Sequence, residues 1–413
     1  MSAAPEALSI SFASPEVRSD PHPLLHRLRE EDPVHWVSEM GFWLLTRYDD
    51  VRATFIDPRV TGDRRAWEHY VAPPEGTFFR WIDDRGMMAV PASEHLRQRR
   101  MLNTGFTPRG IARMNRQIRE VVERHARPLH GRKGIVDVMA EFTTPIPIAV
   151  VSRITGVAAP GDAEERFSRL GQETIQGFFN FVSEEIQQRA NLAYAELSGW
   201  VRDTIARRRE KEEDDLITDL VRAREGDDRL TDDDIVALVS AILSAGSETT
   251  ASGGTLAITT LLEHRDALER LRRDRSLIPQ AVSEILRFGF GGAGGMWRFA
   301  TEDFELRGKR IRKGQMLVLS SGAASRDPSV YPDPDRFDID RNPRDLLIFG
   351  YGPHYCLGAN LAREELACMV DAALDFLPPD ATYRADLVER KPVGLFDRAL
   401  NCPIDFGGGL AAR

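Results

Sequence analysis

Between Ile235 and Leu262 only Glu248 is charged, in a run of Leu, Ile, Val and Ala broken by Ser, Thr and Gly. Thr231, followed by Asp232, Asp233 and Asp234, offers an N-cap and negative charge for a helix start. At about 1.5 Å per residue the helix is roughly 40 Å long, enough to cross a whole domain. Two folds accommodate it: a membrane span carrying an intramembrane glutamate, or a core helix buried on all sides. Ser240, Ser244, Ser247, Thr249, Thr250, Ser252, Thr255, Thr259 and Thr260 make it too polar for a lone span, which favours the core. A carboxylate in that core costs several kcal/mol unless it is paired, hydrated or neutralised, so Glu248 asks for a functional reason.

About a hundred residues downstream, Phe349-Gly-Tyr-Gly-Pro-His-Tyr-Cys-Leu-Gly358 delivers Cys356 to what reads as a helix start. Gly350 and Gly352 allow a tight fold, Pro353 stiffens it, and Gly358 lets a flat ligand approach the main chain. Peptide N–H groups just beyond Cys356 would favour a thiolate, which can ligate a metal. A zinc site needs further Cys or His at short spacing; only His354 is near, with Cys368 and Cys402 remote. A nucleophilic cysteine with His354 as its base, and a buried structural thiol, stay open on the residues alone.

The wider composition narrows the class. The 413 residues exceed the usual single-domain size, yet no linker or composition shift divides them, and there is no internal repeat. A net charge of −9 gives no footprint for nucleic acid. Three cysteines without a paired motif fit a reducing compartment, and the first thirty residues lack the pattern of a signal peptide or membrane anchor. The expectation is a soluble cytoplasmic protein with no membrane partner.

Phe349, Gly350, Gly352, His354, Cys356 and Gly358, extended by Ala362-Arg363, match the haem-binding signature of the cytochrome P450 family at every fixed position, and the chain resembles its soluble bacterial members. Ala245-Gly-Ser-Glu-Thr-Thr250 resembles the family's oxygen-activation motif. The resemblance implies a mainly α fold with a small β lobe and a long central helix over a buried haem b (heme, iron protoporphyrin IX). It implies one domain over 1–413, with the β lobe drawn mainly from about 34–60 and 296–320 together with the C-terminal strands. Cys356 would be the axial ligand of the iron. Ala245 would leave room for O2, and Glu248 and Thr249 would deliver the protons that oxygen activation consumes. Taken alone, Gly246 serves close helix packing equally well, and Thr249 a bond back to its own helix.

Other matches follow in order along the chain. His95 and Arg99, one turn apart, Arg298 and His354 resemble the family's clamps for the haem propionates, with Phe349 and Gly358 beside the ring. Glu284 and Arg287 resemble its buried ion pair, whose third partner is Arg336 or Arg341. Family analogy places the substrate pocket around Trp67–Met88, Glu173–Phe181, Ala241, Ala245, Phe290–Trp297 and Gly394–Phe396, with Gly294, Met296 and Phe396 as candidates. Where the family often has proline and bulky residues after Arg287, this chain has Gly289-Phe-Gly-Gly-Ala-Gly-Gly295, which predicts extra space for a steroid, terpenoid or polycyclic aromatic. The implied activity is a monooxygenase acting on an apolar organic substrate. Its electrons would come from a ferredoxin and ferredoxin reductase docking near Arg97, Arg100, Arg109 and Arg113. The alternatives are a peroxide-driven peroxygenase, a nitric oxide reductase of the same fold, and a haem-binding sensor without turnover; Glu248 and Thr249 argue against the first and the last.

Overall fold

Val34–Val37 (β1) and Phe42–Leu45 (β2) pair as a hairpin with Trp36 opposite Trp43. Met316–Ser320 (β5) joins β2 in parallel and Gly295–Ala300 (β4) in antiparallel register, and Val60–Thr61 (β3) closes the far edge in the order β1-β2-β5-β4-β3. Leu44 and Val318 lie in register on one face and pack with Phe12, Leu25 and Leu28 of the N-terminal segment. The computed structural model describes residues 11–408 apart from 13, 76, 88–89, 91, 104–105, 107, 159–160, 177–182, 226–227, 291–293 and 394–395. It leaves out the side chains of 79, 92, 103, 108–109, 113, 162, 175, 225, 392–393 and 396–398.

The sheet thus gathers the two predicted segments, 34–60 and 296–320, but the C-terminal strands do not join it. Pro403–Asp405 pairs instead with Thr382–Tyr383 and with Ile135–Asp137, a strand from the helical part. Burial explains the choice: Ile404 and Val136 sit opposite one another, both inside the main core. A positive-φ turn at Gly308 makes a hairpin of Phe304–Leu306 and Lys309–Ile311.

Five helices position the site: Tyr48–Phe55 (α1), Ala92–Asn103 (α2), Asp232–Glu263 (α3), Ile278–Gly289 (α4) and Ala359–Phe376 (α5). Thr231 and Asp234 cap α3 reciprocally: the Thr231 hydroxyl accepts from the Asp234 N–H at 3.1 Å, and the Asp234 carboxylate accepts from the Thr231 N–H at 2.9 Å. Helices Pro145–Thr155 and Glu184–Glu210, together with α4 and α5, surround α3. Although α3 is long and apolar enough to cross a membrane, the protein itself covers it, as expected of a core helix. Ahead of α3 the chain is helical over Asp162–Gln176 and Glu184–Glu210.

Close packing against α5 explains two glycines of α3. A Cβ at Gly254 would stand 2.6 Å from Met369 Sδ, and one at Gly253 would stand 3.2 Å from Leu366. Gly246 is different: a Cβ there would meet nothing within 4 Å, so close packing is not its reason.

Candidate active site

The cysteine loop adopts backbone angles that side chains resist. Gly350 and Gly352 have φ of 74° and 73°, and a Cβ at Gly352 would lie 2.4 Å from Cγ2 of Ile56. The Cys356 N–H donates to Phe349 O at 2.7 Å and closes the loop, leaving Cys356 just ahead of α5 rather than on it. Burial raises the thiol's pKa, while the Gly358 N–H, Arg99 and Arg363 favour the thiolate. Cys356 is nevertheless exposed, whereas Cys368 and Cys402 are buried. A sulfur that is both uncovered and poorly hydrated faces a hollow inside the fold. His354 does not serve it as a base, because its electrostatic neighbours are His95, Arg298 and Arg99.

Those neighbours make an unusual cationic pocket. Arg298, on β4, is only 3% exposed, donates to the carbonyl of Trp297 at 2.8 Å and lies over the Phe55 ring at 5.1 Å. Burial alone lowers its pKa to about 10. Burial, then His95, Arg298 and Arg99, lowers His354 to about 4, and burial and Arg99 lower His95. No carboxylate among the described residues forms an ion pair with Arg298, Arg99, His95 or His354. Two arginines and two imidazoles converging without an acid fit a ligand that brings its own carboxylates. The propionates of haem satisfy that demand, and at Gly358 a Cβ would meet nothing within 4 Å, leaving room for a flat ring.

On α3, Ala245 and Thr249 are exposed while Ser247, Thr250, Gly253 and Gly254 are buried. Ala245, Thr249 and the exposed Ser252 follow at i, i+4 and i+7, one stripe of a helix otherwise packed into the core. Ala241 and Glu248 flank it, both half-buried. The Thr249 hydroxyl donates to Ala245 O at 2.7 Å, the bond back to its own helix that the residues left open. Its oxygen therefore keeps acceptor capacity toward the hollow.

The segment after α4 spans from that helix to the cysteine loop: Gly289 abuts Leu256 of α3, and Met296 Sδ would stand 3.4 Å from a Cβ at Gly350. Two of its glycines, one at each end, answer to packing. A Cβ at Gly295 would fall 1.9 Å from Leu319 O, and one at Gly289 2.6 Å from Leu256. Phe290, Gly294 and Met296 are half-buried, whereas residues 291–293 and the Phe396 side chain lie outside the described residues.

The ion pair is as expected and the third partner is now assigned. Glu284 and Arg287 are 0% and 1% exposed and bond twice, at 2.7 and 2.8 Å. Arg341 reaches Glu284 through Nε at 3.2 Å, while Arg336 contributes its carbonyl, which accepts from Arg287 and Arg341. Arg97 is not a free docking cation: it pairs with Glu94 at 2.7 Å, Asp228 at 3.1 Å and Asp234 at 3.4 Å. Arg100 is exposed on α2, and the side chains of Arg109 and Arg113 lie outside the described residues. The sequence reading missed two contacts that have no fixed spacing. Arg52 lies over the Tyr351 ring at 4.2 Å and Arg363 over Phe349 at 4.3 Å.

A helical protein that presents one cysteine from a glycine loop, beside an acid-free cationic pocket and an uncovered stripe of its longest helix, has the parts of a haem-thiolate oxygenase. The comparisons with known proteins say the same. The family model described as Cytochrome P450 matches residues 33–375. The chain is 36% identical over 357 residues to mycinamicin IV hydroxylase/epoxidase of Micromonospora griseorubida, covering 85% of this chain and 86% of that one. It is 34% identical over 349 residues to vitamin D(3) 25-hydroxylase of Pseudonocardia autotrophica, covering 84% and 83%. The crystal structure of epothilone D-bound cytochrome P450epoK superposes with a TM-score of 0.84 at 29% identity, covering 98% of this chain and all of that one. The chain belongs to the cytochrome P450 family: it is a monooxygenase and its cofactor is haem b.

Proposed function

We propose that the protein, as one domain, hydroxylates or epoxidises a bulky, rigid, lipophilic ring compound that would bind beside the Ala245–Thr249 stripe, with Cys356 as the thiolate that would hold the haem. The observation that carries this reading is the exposed stripe of Ala245, Thr249 and Ser252 inside the core. Haem b, when bound, supplies oxygen activation and insertion. Arg298, Arg99, His95 and His354 would hold its propionates, and Phe349 and Gly358 would flank the ring. Thr249, whose proton already goes to Ala245 O, accepts a hydrogen bond in the hollow, and Glu248 carries protons inward from solvent. Ala241, Phe290, Gly294, Met296 and Phe396 are the candidate walls.

Relatives named for mycinamicin IV, epothilone and polyketide biosynthesis move the expected substrate from steroid, terpenoid or polycyclic aromatic toward large-ring polyketides, and the relative named for vitamin D(3) leaves a steroid-like ring compound as the second reading. Electrons come from a separate ferredoxin and ferredoxin reductase in the cytoplasm, in keeping with bacterial relatives. The test is a spin-state titration with a macrolide, a steroid and a short fatty acid, followed by turnover with a ferredoxin system and with peroxide alone. Spectral shifts confined to the short linear molecule overturn the substrate reading. Turnover that peroxide supports and ferredoxin does not overturns the electron route.

A further inference from the structure

Arg363 touches all three residues that frame the cysteine. Its guanidinium lies over the Phe349 ring at 4.3 Å, and the Phe349 carbonyl is the acceptor for the Cys356 N–H at 2.7 Å. Its Nη1 approaches Tyr355 Oη at 3.5 Å and Ala359 O at 3.5 Å, and the Ala359 N–H donates to Cys356 O at 3.4 Å. In a protein whose arginines mostly pair with acids, Arg363 forms no ion pair with a carboxylate among the described residues. Arg52, stacked on Tyr351 at 4.2 Å and bonded to its hydroxyl at 2.5 Å, also has no such ion pair. The two differ in one respect: Arg363 contacts Phe349, Tyr355 and Ala359, whose backbone or sequence position frames Cys356, whereas Arg52 contacts Tyr351 further back in the loop.

We infer that Arg363 is a positioning residue for the axial thiolate, holding Phe349 over the loop with its planar face and setting the haem iron's reduction potential with its charge. This rests on Cys356 being the iron ligand. Reduction adds one electron to the iron, so a fixed positive charge near the sulfur stabilises the reduced form more than the oxidised form. It also withdraws electron density from the sulfur, an effect that is least screened at low ionic strength. The ring is the mechanical half: a planar fork on an aromatic face is a preorganised contact that lysine does not reproduce. Arg363 is half-buried and Tyr355 is 37% exposed, so this charge lies near the protein surface rather than deep in the core.

The experiment is a dye-mediated spectroelectrochemical titration, at low salt, of the haem-loaded protein and of Arg363→Gln, Arg363→Lys and Arg52→Gln. Each is first checked for the thiolate Soret band of its reduced carbon monoxide complex. Arg363→Gln is expected to shift the equilibrium toward the oxidised form by about tenfold, or 59 mV for a one-electron couple. Arg363→Lys should recover more than half of that shift, and Arg52→Gln should change the equilibrium less than twofold. An Arg363→Gln equilibrium within twofold of the parent, with the thiolate band intact, overturns the inference. So does an equal shift in Arg52→Gln, which would mark a general surface-charge effect. Loss of the thiolate band in the parent protein would instead remove the axial-ligand assignment on which the inference stands.

Discussion

His95, from α2, and His354, from the cysteine loop, lie ring against ring with centroids 4.0 Å apart and planes tilted by 35°. Burial lowers the pKa of both, so the rings meet as neutral imidazoles, each with one N–H to donate. The positive charge of the pocket is left to Arg99 and Arg298.

Arg298→Leu should therefore separate the bound protein from the empty one. With haem, a charge-assisted hydrogen bond worth about 1.5–3 kcal/mol is lost, and haem transfer to apomyoglobin should quicken by roughly 10- to 100-fold. Without haem, a buried guanidinium that burial already lowers to about 10 disappears, and the urea midpoint of the apoprotein should rise. An apoprotein that becomes less stable would show that Arg298 is anchored by the protein rather than reserved for a ligand.

The ion-pair network predicts a steep order of costs. Arg287→Ala leaves Glu284 charged and buried and should cost about 3–5 kcal/mol. Arg341→Ala removes a side chain only 13% exposed that also bonds Pro332 O at 2.6 Å and Asp333 O at 2.9 Å, and should cost about 2 kcal/mol. Arg336→Ala trims a side chain 68% exposed and should stay within about 0.5 kcal/mol. Chemical denaturation of the three variants checks the order, and equal effects at Arg336 and Arg341 would reverse the assignment.

Much of this was legible in the sequence because it is local. The cysteine loop, the Ala245–Thr250 motif and the Glu284–Arg287 pair are short patterns whose spacing fixes their geometry, and the capped central helix announces itself by lacking charge. Arg97 and Arg341 were not legible, because each is decided by acids far along the chain: Asp228 and Asp234 for one, Glu284 for the other. The crowding at Gly295 was hidden for the same reason. What crowds it is the backbone of Leu319, one residue before its register partner Ser320 on β5, brought there only by sheet pairing.

Gly295→Ala and Gly246→Ala should accordingly move stability in opposite directions. At Gly295 a Cβ would lie 1.9 Å from Leu319 O and 2.5 Å from Leu319 C, so β4 and β5 must separate, at a cost of about 3 kcal/mol or more. At Gly246 the space is open, and alanine in a helix interior should gain about 0.5–1 kcal/mol. Chemical denaturation of the haem-free proteins distinguishes them.

His22 supplies a pH test remote from the haem. Its pKa is lowered from 6.5 to about 4, by burial first and then by Arg326. The unfolded chain thus binds a proton that the folded chain refuses between those values, and stability contributed above pH 6.5 is lost as pH falls toward 4. His22→Gln should flatten the acid limb of the stability profile by on the order of 1–3 kcal/mol, measured as the difference between parent and variant at pH 7 and pH 4.5. Parallel profiles would mean that His22 is solvated.

Thr249 offers the sharpest chemical test, because its proton and its oxygen do different work. The hydroxyl proton bonds Ala245 O at 2.7 Å within the helix, which leaves the oxygen to accept from the hollow. Thr249→Val keeps the shape and removes the acceptor, while Thr249→Ser keeps the acceptor and removes the methyl group. If the acceptor orders proton delivery, the valine protein should bind substrate with its spectrum intact and consume reductant at a similar rate. Its yield of product per electron pair should nevertheless fall about tenfold or more, reduced oxygen leaving as hydrogen peroxide. The serine protein should stay within about twofold of the parent, since its hydroxyl can make the same bond to Ala245 O. Coupling measured as product and peroxide against reductant consumed decides the matter: equal coupling in all three proteins would leave Thr249 with only its helix bond.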